Sequence, residues 1–227
     1  MTITPTGVIR ASGLAAVAAG ATFIAVQINH PHMDATTIGT TEVVVRDSLK
    51  VLMGALAMIG ITGMYARHVR QAGVVGLVGY LLFFAGYLLI TGTAYVAAFV
   101  LPTIADANPG YVDDVTTAAN TGSSTGDIGL MQQVLQLQGA AYLLGGLLFG
   151  IALYRAGVLP RWASALLAVG GLVSAALTLM PDAFHRVLAL PNGVAMIALG
   201  WALWRSYSTT THDVVASPEP AHQVGSR

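Results

Sequence analysis

His30, His32, Met33 and Asp34, set around Pro31, are the residues in this sequence best suited to hold a metal ion. Alternate residues of an extended segment point to the same side, so His30 and His32 can offer two imidazoles together. The Asp34 carboxylate supplies a third donor, and this set suits Zn²⁺ or Cu²⁺. Asp182 and His185 fall on the same side of the chain and are within reach of joining it. Against that stands the absence of a helical H-E-x-x-H pair. Asp106-Ala-Asn108-Pro-Gly110 likewise lacks the spacing and final Glu of a calcium loop. No resident cofactor is therefore expected, and a zinc or copper ion on His30, His32 and Asp34 is the alternative.

A second group is charged. Glu42, Arg46 and Lys50 recur at i, i+4 and i+8, sharing one helical face, with Asp47 beside them. Such a group either pairs internally at headgroup level, its long side chains snorkelling toward water, or grips an anionic headgroup or small anion. Gln136, like Gln138, and Asn192 are neutral polar residues inside apolar stretches. They serve interhelical hydrogen bonding or line a cavity open to one side of the membrane. Arg46, Asp47, Lys50, Gln136 and Asn192 are thus the candidate ligand-binding residues.

Much other chemistry is excluded. The chain has no cysteine, so disulfides, thiolate catalysis and iron–sulfur ligation are out. Net charge is zero, leaving no basic field for nucleic acid. Of 227 residues 55% are hydrophobic and 9% charged, against about 25% charged in soluble domains. So few charges do not cover a water-exposed surface, and lipid must face much of the chain. The centres of the apolar stretches hold no Asp, Glu, Lys, Arg or His, which removes proton relays, buried haem ligands and a Schiff-base lysine.

These residues need elements to carry them. Six apolar stretches approach the roughly 20 residues that span a bilayer: about 8–28, 43–66, 74–101, 134–154, 162–180 and 187–204. The expected fold is all-α, a polytopic bundle of six transmembrane helices over residues 1–205, with a disordered tail at 206–227. The uncharged part of the second stretch, Val51 to Ala66, is too short to cross unaided. That helix must begin earlier and draw the 42–50 charges into the interface. Pro191-Asn192-Gly193 is expected to bend the sixth helix. With six alternating crossings Arg10, Arg67, Arg70, Arg155, Arg161, Arg205 and Arg227 share one side, while Arg46, Lys50, Arg186 and most acidic residues take the other. The positive-inside rule makes the first side cytoplasmic, with both termini in, and Trp162 and Trp204 flank that boundary. The first stretch reads as a retained helix; a cleaved signal peptide is the alternative.

Small residues repeat at helix-packing spacing: Gly146/Gly150, Ala16/Gly20 and Gly170/Ser174. Gly139 to Gly150, then Leu153-Tyr-Arg-Ala-Gly-Val-Leu-Pro-Arg-Trp162, with the Arg10-Ala-Ser-Gly-Leu14 entry, resembles a bacterial family of six-helix integral membrane proteins classed as a domain of unknown function. The resemblance implies a six-helix fold in a bacterial plasma membrane and carries no catalytic residues. With no nucleophile–base pattern, the expected role is a non-catalytic accessory or interaction subunit or lipid-associated scaffold. Its partners would be the lipid bilayer and a membrane protein or a second copy of itself. A small-molecule or lipid carrier, and a metal-dependent membrane enzyme, are the alternatives.

Overall fold

Thr4 starts the first helix by accepting a hydrogen bond from the Gly7 amide at 3.1 Å, and Pro5 fills the first turn, where no amide is needed. In the computed structural model, which describes residues 4–28, 31–177 and 190–206 (backbone alone for 171–177), seven helices follow in order. They are α1 (Pro5–Gln27), α2 (Thr41–Phe99), α3 (Leu101–Ile104), α4 (Pro109–Thr121), α5 (Leu130–Ala156), α6 (Arg161–Leu177) and α7 (Leu190–Arg205). No strand occurs among the described residues. Helices α1, α2 and α5 are long and apolar enough to cross a membrane.

At 59 residues, α2 would extend about 88 Å if straight, far beyond a hydrocarbon core of about 30 Å. It folds back at Gly73, whose φ of 58° and ψ of −162° interrupt the helical geometry. The limbs before and after Gly73 then run antiparallel. Tyr65 stacks on Tyr80 with 4.6 Å between centroids, Thr62 and Tyr80 share a hydroxyl hydrogen bond of 3.1 Å, and Gly54 abuts Thr91.

Close backbone approach joins the remaining rods. A Cβ on Gly200 would lie 2.5 Å from the Gly13 carbonyl oxygen, and one on Gly150 would lie 2.5 Å from the Ala168 amide nitrogen. These contacts seat α1 antiparallel to α7 and α5 against α6. Gly60 meets Ala16 between α2 and α1, and Gly79 meets Phe149 between α2 and α5. Hydrophobic packing between helices gains nothing over lipid contact, so small residues that let backbones touch are what bind them. Fully buried Met64, Phe83, Phe149, Leu153, Leu167, Met196, Leu199 and Leu203 fill the centre. Outside, Leu52, Ile59, Leu81, Leu88 and Leu144 are each 52–54% exposed, a density of bare aliphatic side chains suited to an apolar solvent.

Charges sort by end. Arg10, Arg67, Arg70, Arg155, Arg161 and Arg205 gather where α1 begins, α2 turns and α7 finishes. Arg10 lies 5.2 Å from the Trp204 ring centroid, Arg205 5.8 Å from Trp201 and Arg161 5.8 Å from Tyr154, so the basic rim is also aromatic. Asp34, Glu42, Asp47, Asp106, Asp113, Asp114 and Asp127 gather at the opposite, acidic end with Arg46 and Lys50.

Several boundaries differ from the sequence expectation. The second stretch does not stop at 66 but stays helical to the Gly73 turn, because 67–72 contain no breaker. As expected, it does begin before Val51, at Thr41, and carries Glu42, Arg46, Asp47 and Lys50 on its first turns. The fourth starts at Leu130 rather than 134, ending at Gly157 in the left-handed conformation with φ of 66°. Pro191 is helical in α7, next to residues 178–189, so the expected bend at Pro191-Asn192-Gly193 borders residues outside the described ones. Residues 178–189, which hold Asp182, His185 and Arg186, and the tail from 207 lie outside the described residues.

The polar stretch from Pro102 to Gln133, between the third and fourth apolar stretches, is itself structured. It holds the end of α3, all of α4 and the first turn of α5. Asn108 caps α4 by accepting from the Tyr111 amide at 3.3 Å, Pro109 fills its first turn and Gly122 closes it with φ of 85°. Val112, Val115 and Ala118 form a buried stripe, and with Ile38, Val43, Leu101, Ala105 and Ile128 they make a second core at the acidic end.

Candidate functional site

That second core supports a cap whose carboxylates tie it together. Asp34 Oδ1 accepts hydrogen bonds from the Thr36 amide at 2.8 Å, the Thr37 amide at 2.9 Å and the Thr36 hydroxyl at 2.7 Å. The Thr36 hydroxyl and the Thr37 amide hold the Asp34 carboxyl down to about 2, since donors aimed at a carboxylate favour its charged form. Asp113 Oδ1 accepts from the Ala35 amide at 2.7 Å, clamping the 31–40 loop to α4. Asp114 Oδ1 accepts from the Gly126 amide at 3.0 Å, and the Gln132 side chain donates to the Gly122 carbonyl at 2.8 Å. Those two bonds pin the 122–129 connection.

Two adjoining cavities lie in this cap. The outer one, of about 280 Å³, is polar and is bordered by His32, Asp34, Thr36, Asp113, Thr117 and Asn120. The inner one, of about 50 Å³, is apolar, with walls from Val96, Ala97, Leu101, Val115, Met131 and Leu135. Met33, Thr116 and Asn120 line both and so form the partition. Met33 is unbranched and adapts its shape readily.

Of the metal-type cluster, His30 lies outside the described residues. His32 is exposed, and its Nε2 stands 3.9 Å from Asp34 Oδ2. Among the described residues no three His, Cys, Asp or Glu side chains converge on one point.

Arg46 and Lys50 each have a partner inside the chain. Arg46 Nη2 is 3.0 Å from Glu42 Oε1, and its Nη1 donates to the carbonyls of Val26 at 3.2 Å and Ile28 at 2.7 Å. It thereby caps the last carbonyls of α1, which have no helical partner of their own. Lys50 Nζ is 2.6 Å from Asp47 Oδ1. Asp47 is 1% exposed, and its Oδ2 accepts no hydrogen bond.

Gln136 and Asn192 are not brought together. Gln136 is exposed, whereas Asn192 is buried and donates from Nδ2 to the Tyr142 hydroxyl. The glutamine that enters the bundle is Gln138, which accepts from the Thr93 hydroxyl at 2.7 Å. Tyr142 meets Tyr87 edge-on with 5.4 Å between centroids, so Tyr87, Tyr142 and Asn192 link α2, α5 and α7 at depth. No family model, curated protein or solved structure matches this chain.

Two functional features escape a reading of spacing alone. The cap pocket draws on residues 32–36 and 113–120, far apart in sequence; the available signal was the Val112, Val115, Ala118 periodicity between Pro109 and Gly122. His68, between the second and third apolar stretches in sequence, is fully buried, with Nδ1 2.6 Å from the Met64 carbonyl oxygen.

Proposed function

We propose that this chain is a six-crossing protein of the bacterial plasma membrane, with both termini cytoplasmic, that works as a non-catalytic accessory or interaction subunit through its acidic cap. The observation that carries this is the contrast between its two parts. The bundle interior is closed by glycine contacts such as Gly13 with Gly200 and Gly150 with Ala168, and fully buried apolar side chains fill it. The cap carries a structured polar cavity and the clustered carboxylates. Transport needs a hydrated path through the bundle, which such packing opposes; recognition needs a folded exposed surface, which the cap supplies. The basic, aromatic rim on the opposite end supports an outward-facing cap by the positive-inside rule. Resemblance to the bacterial six-helix family points the same way. The lipid bilayer and a membrane protein or a second copy of the chain are its partners.

The absence of cysteine gives a clean test. Single variants Asn120→Cys in the cap and Gln71→Cys near the Gly73 turn, both exposed, are treated with a membrane-impermeant maleimide in intact cells. Asn120→Cys labels at once and Gln71→Cys labels only after lysis. The reverse pattern overturns the orientation, and labelling of both in intact cells overturns the membrane assignment. Purified protein that runs as a lone monomer in mild detergent and moves a solute into liposomes overturns the accessory role.

A further inference from the structure

Resting on that reading of the cap as the recognition surface, we propose that the paired cavities form a binding site for a small organic ammonium ion carrying a short apolar tail. The mouth is shaped and charged for the cationic head. Asp34 and Asp113 both border it, one in the 31–40 loop and one on α4, with hydroxyls at Thr36 and Thr117 beside them. Each carboxylate is positioned by a bond through one oxygen, Asp34 by Thr36 and Thr37 and Asp113 by the Ala35 amide. The pair is therefore set in place before any ligand arrives, and the ordering cost of binding is already met. At 280 Å³ the mouth admits an ammonium group with several waters.

The second half of the ligand follows from what lies behind the mouth. The chamber of about 50 Å³ has several times the roughly 10–15 Å³ that one water needs, and apart from Thr93, Thr116 and Asn120 its walls are apolar, so it favours a hydrocarbon tail. Its size fits three or four carbons rather than a lipid chain. Met33, shared by both cavities, is the side chain that yields to let a tail through. Two carboxylates repel an anion, and they equally disfavour the phosphodiester that accompanies an aminophospholipid headgroup. The occupant is therefore a free amine.

The test uses full-length protein in phosphatidylcholine nanodiscs, with n-butylammonium as probe in isothermal titration calorimetry. Wild type binds it saturably at one site and at least tenfold more tightly than methylammonium, and n-butyrate does not bind. Asp113→Asn, which keeps an oxygen for the Ala35 amide, weakens butylammonium at least tenfold. Ala119→Leu, placed on the chamber wall at an exposed position, abolishes the advantage of butyl over methyl while leaving methylammonium unchanged. Equal affinity of wild type for both amines, or an Asp113→Asn variant that binds butylammonium like wild type, overturns the proposal. Undetectable binding overturns it too. Binding is measured without reference to sidedness, so it stands or falls separately from the maleimide result.

Discussion

Lys50→Met tests whether the rim is held by a buried ion pair. Asp47 is 1% exposed and Lys50 Nζ approaches its Oδ1 at 2.6 Å, while the Lys50 side chain keeps 22% of its surface. Removing one partner of a fully buried pair costs about 3–5 kcal/mol, because the remaining charge is left uncompensated. Partial exposure of Lys50 moves the expectation to the lower end, about 3 kcal/mol. Asp47 Oδ2 already lacks a hydrogen bond, so no second donor stands ready at that atom to absorb the loss. For a chain of this size such a loss lowers the melting temperature by about 6–12 °C, measured by circular dichroism in detergent. Asp47→Asn combined with Lys50→Met removes both charges and restores most of the stability, since an uncharged pair has little to desolvate. Lys50→Met melting within 2 °C or so of wild type refutes the reasoning, as does a double variant no more stable than the single one.

The Gly73 turn and the Asp34 loop make two further predictions. At φ 58° and ψ −162° Gly73 occupies a region essentially closed to other residues, and no heavy atom lies within 4 Å of where a Cβ would sit. Gly73→Ala therefore costs about 1–3 kcal/mol through backbone strain alone, read by thermal unfolding; a neutral effect means the limbs reverse by another geometry. Asp34, held down to about 2 by the Thr36 hydroxyl and Thr37 amide, has a folded value below its unfolded value of about 3.9. Its contribution to loop order is complete above about pH 4 and fades as pH falls toward about 2. Amide exchange at Thr36 and Thr37 should accelerate across that window and should be fast at neutral pH in Asp34→Ala, and exchange unchanged by either removes Asp34 as the organiser of the loop.

What the sequence determined by itself is set by composition and by one-dimensional spacing. Too few charges for a soluble surface, six apolar stretches and lopsided arginines require helices in lipid, because backbone groups there have no water to bond. The length shortfall of Val51 to Ala66 was enough to draw Glu42, Arg46, Asp47 and Lys50 into the start of α2, where they lie. Small-residue spacing marked Ala16, Gly20, Gly150 and Gly170 as contact points, and each abuts a neighbouring helix. Spacing did not reveal which glycine meets which partner, since Gly79, Gly86 and Gly145 are indistinguishable from lipid-facing glycines until α5 lies beside α2.

Tertiary structure alone decided the rest. It buried His68 within the helix that runs on past the second apolar stretch, and it paired Asn192 with Tyr142 rather than with Gln136. It also set a capped helix over a second core within the polar stretch between Pro102 and Gln133, placing Asp34 and Asp113 at one mouth. The physical reason is the range over which each force is encoded. Transfer of a segment into lipid depends on that segment's own residues and is local. A cavity belongs to side chains some eighty positions apart, and it exists only once the backbone has brought them together.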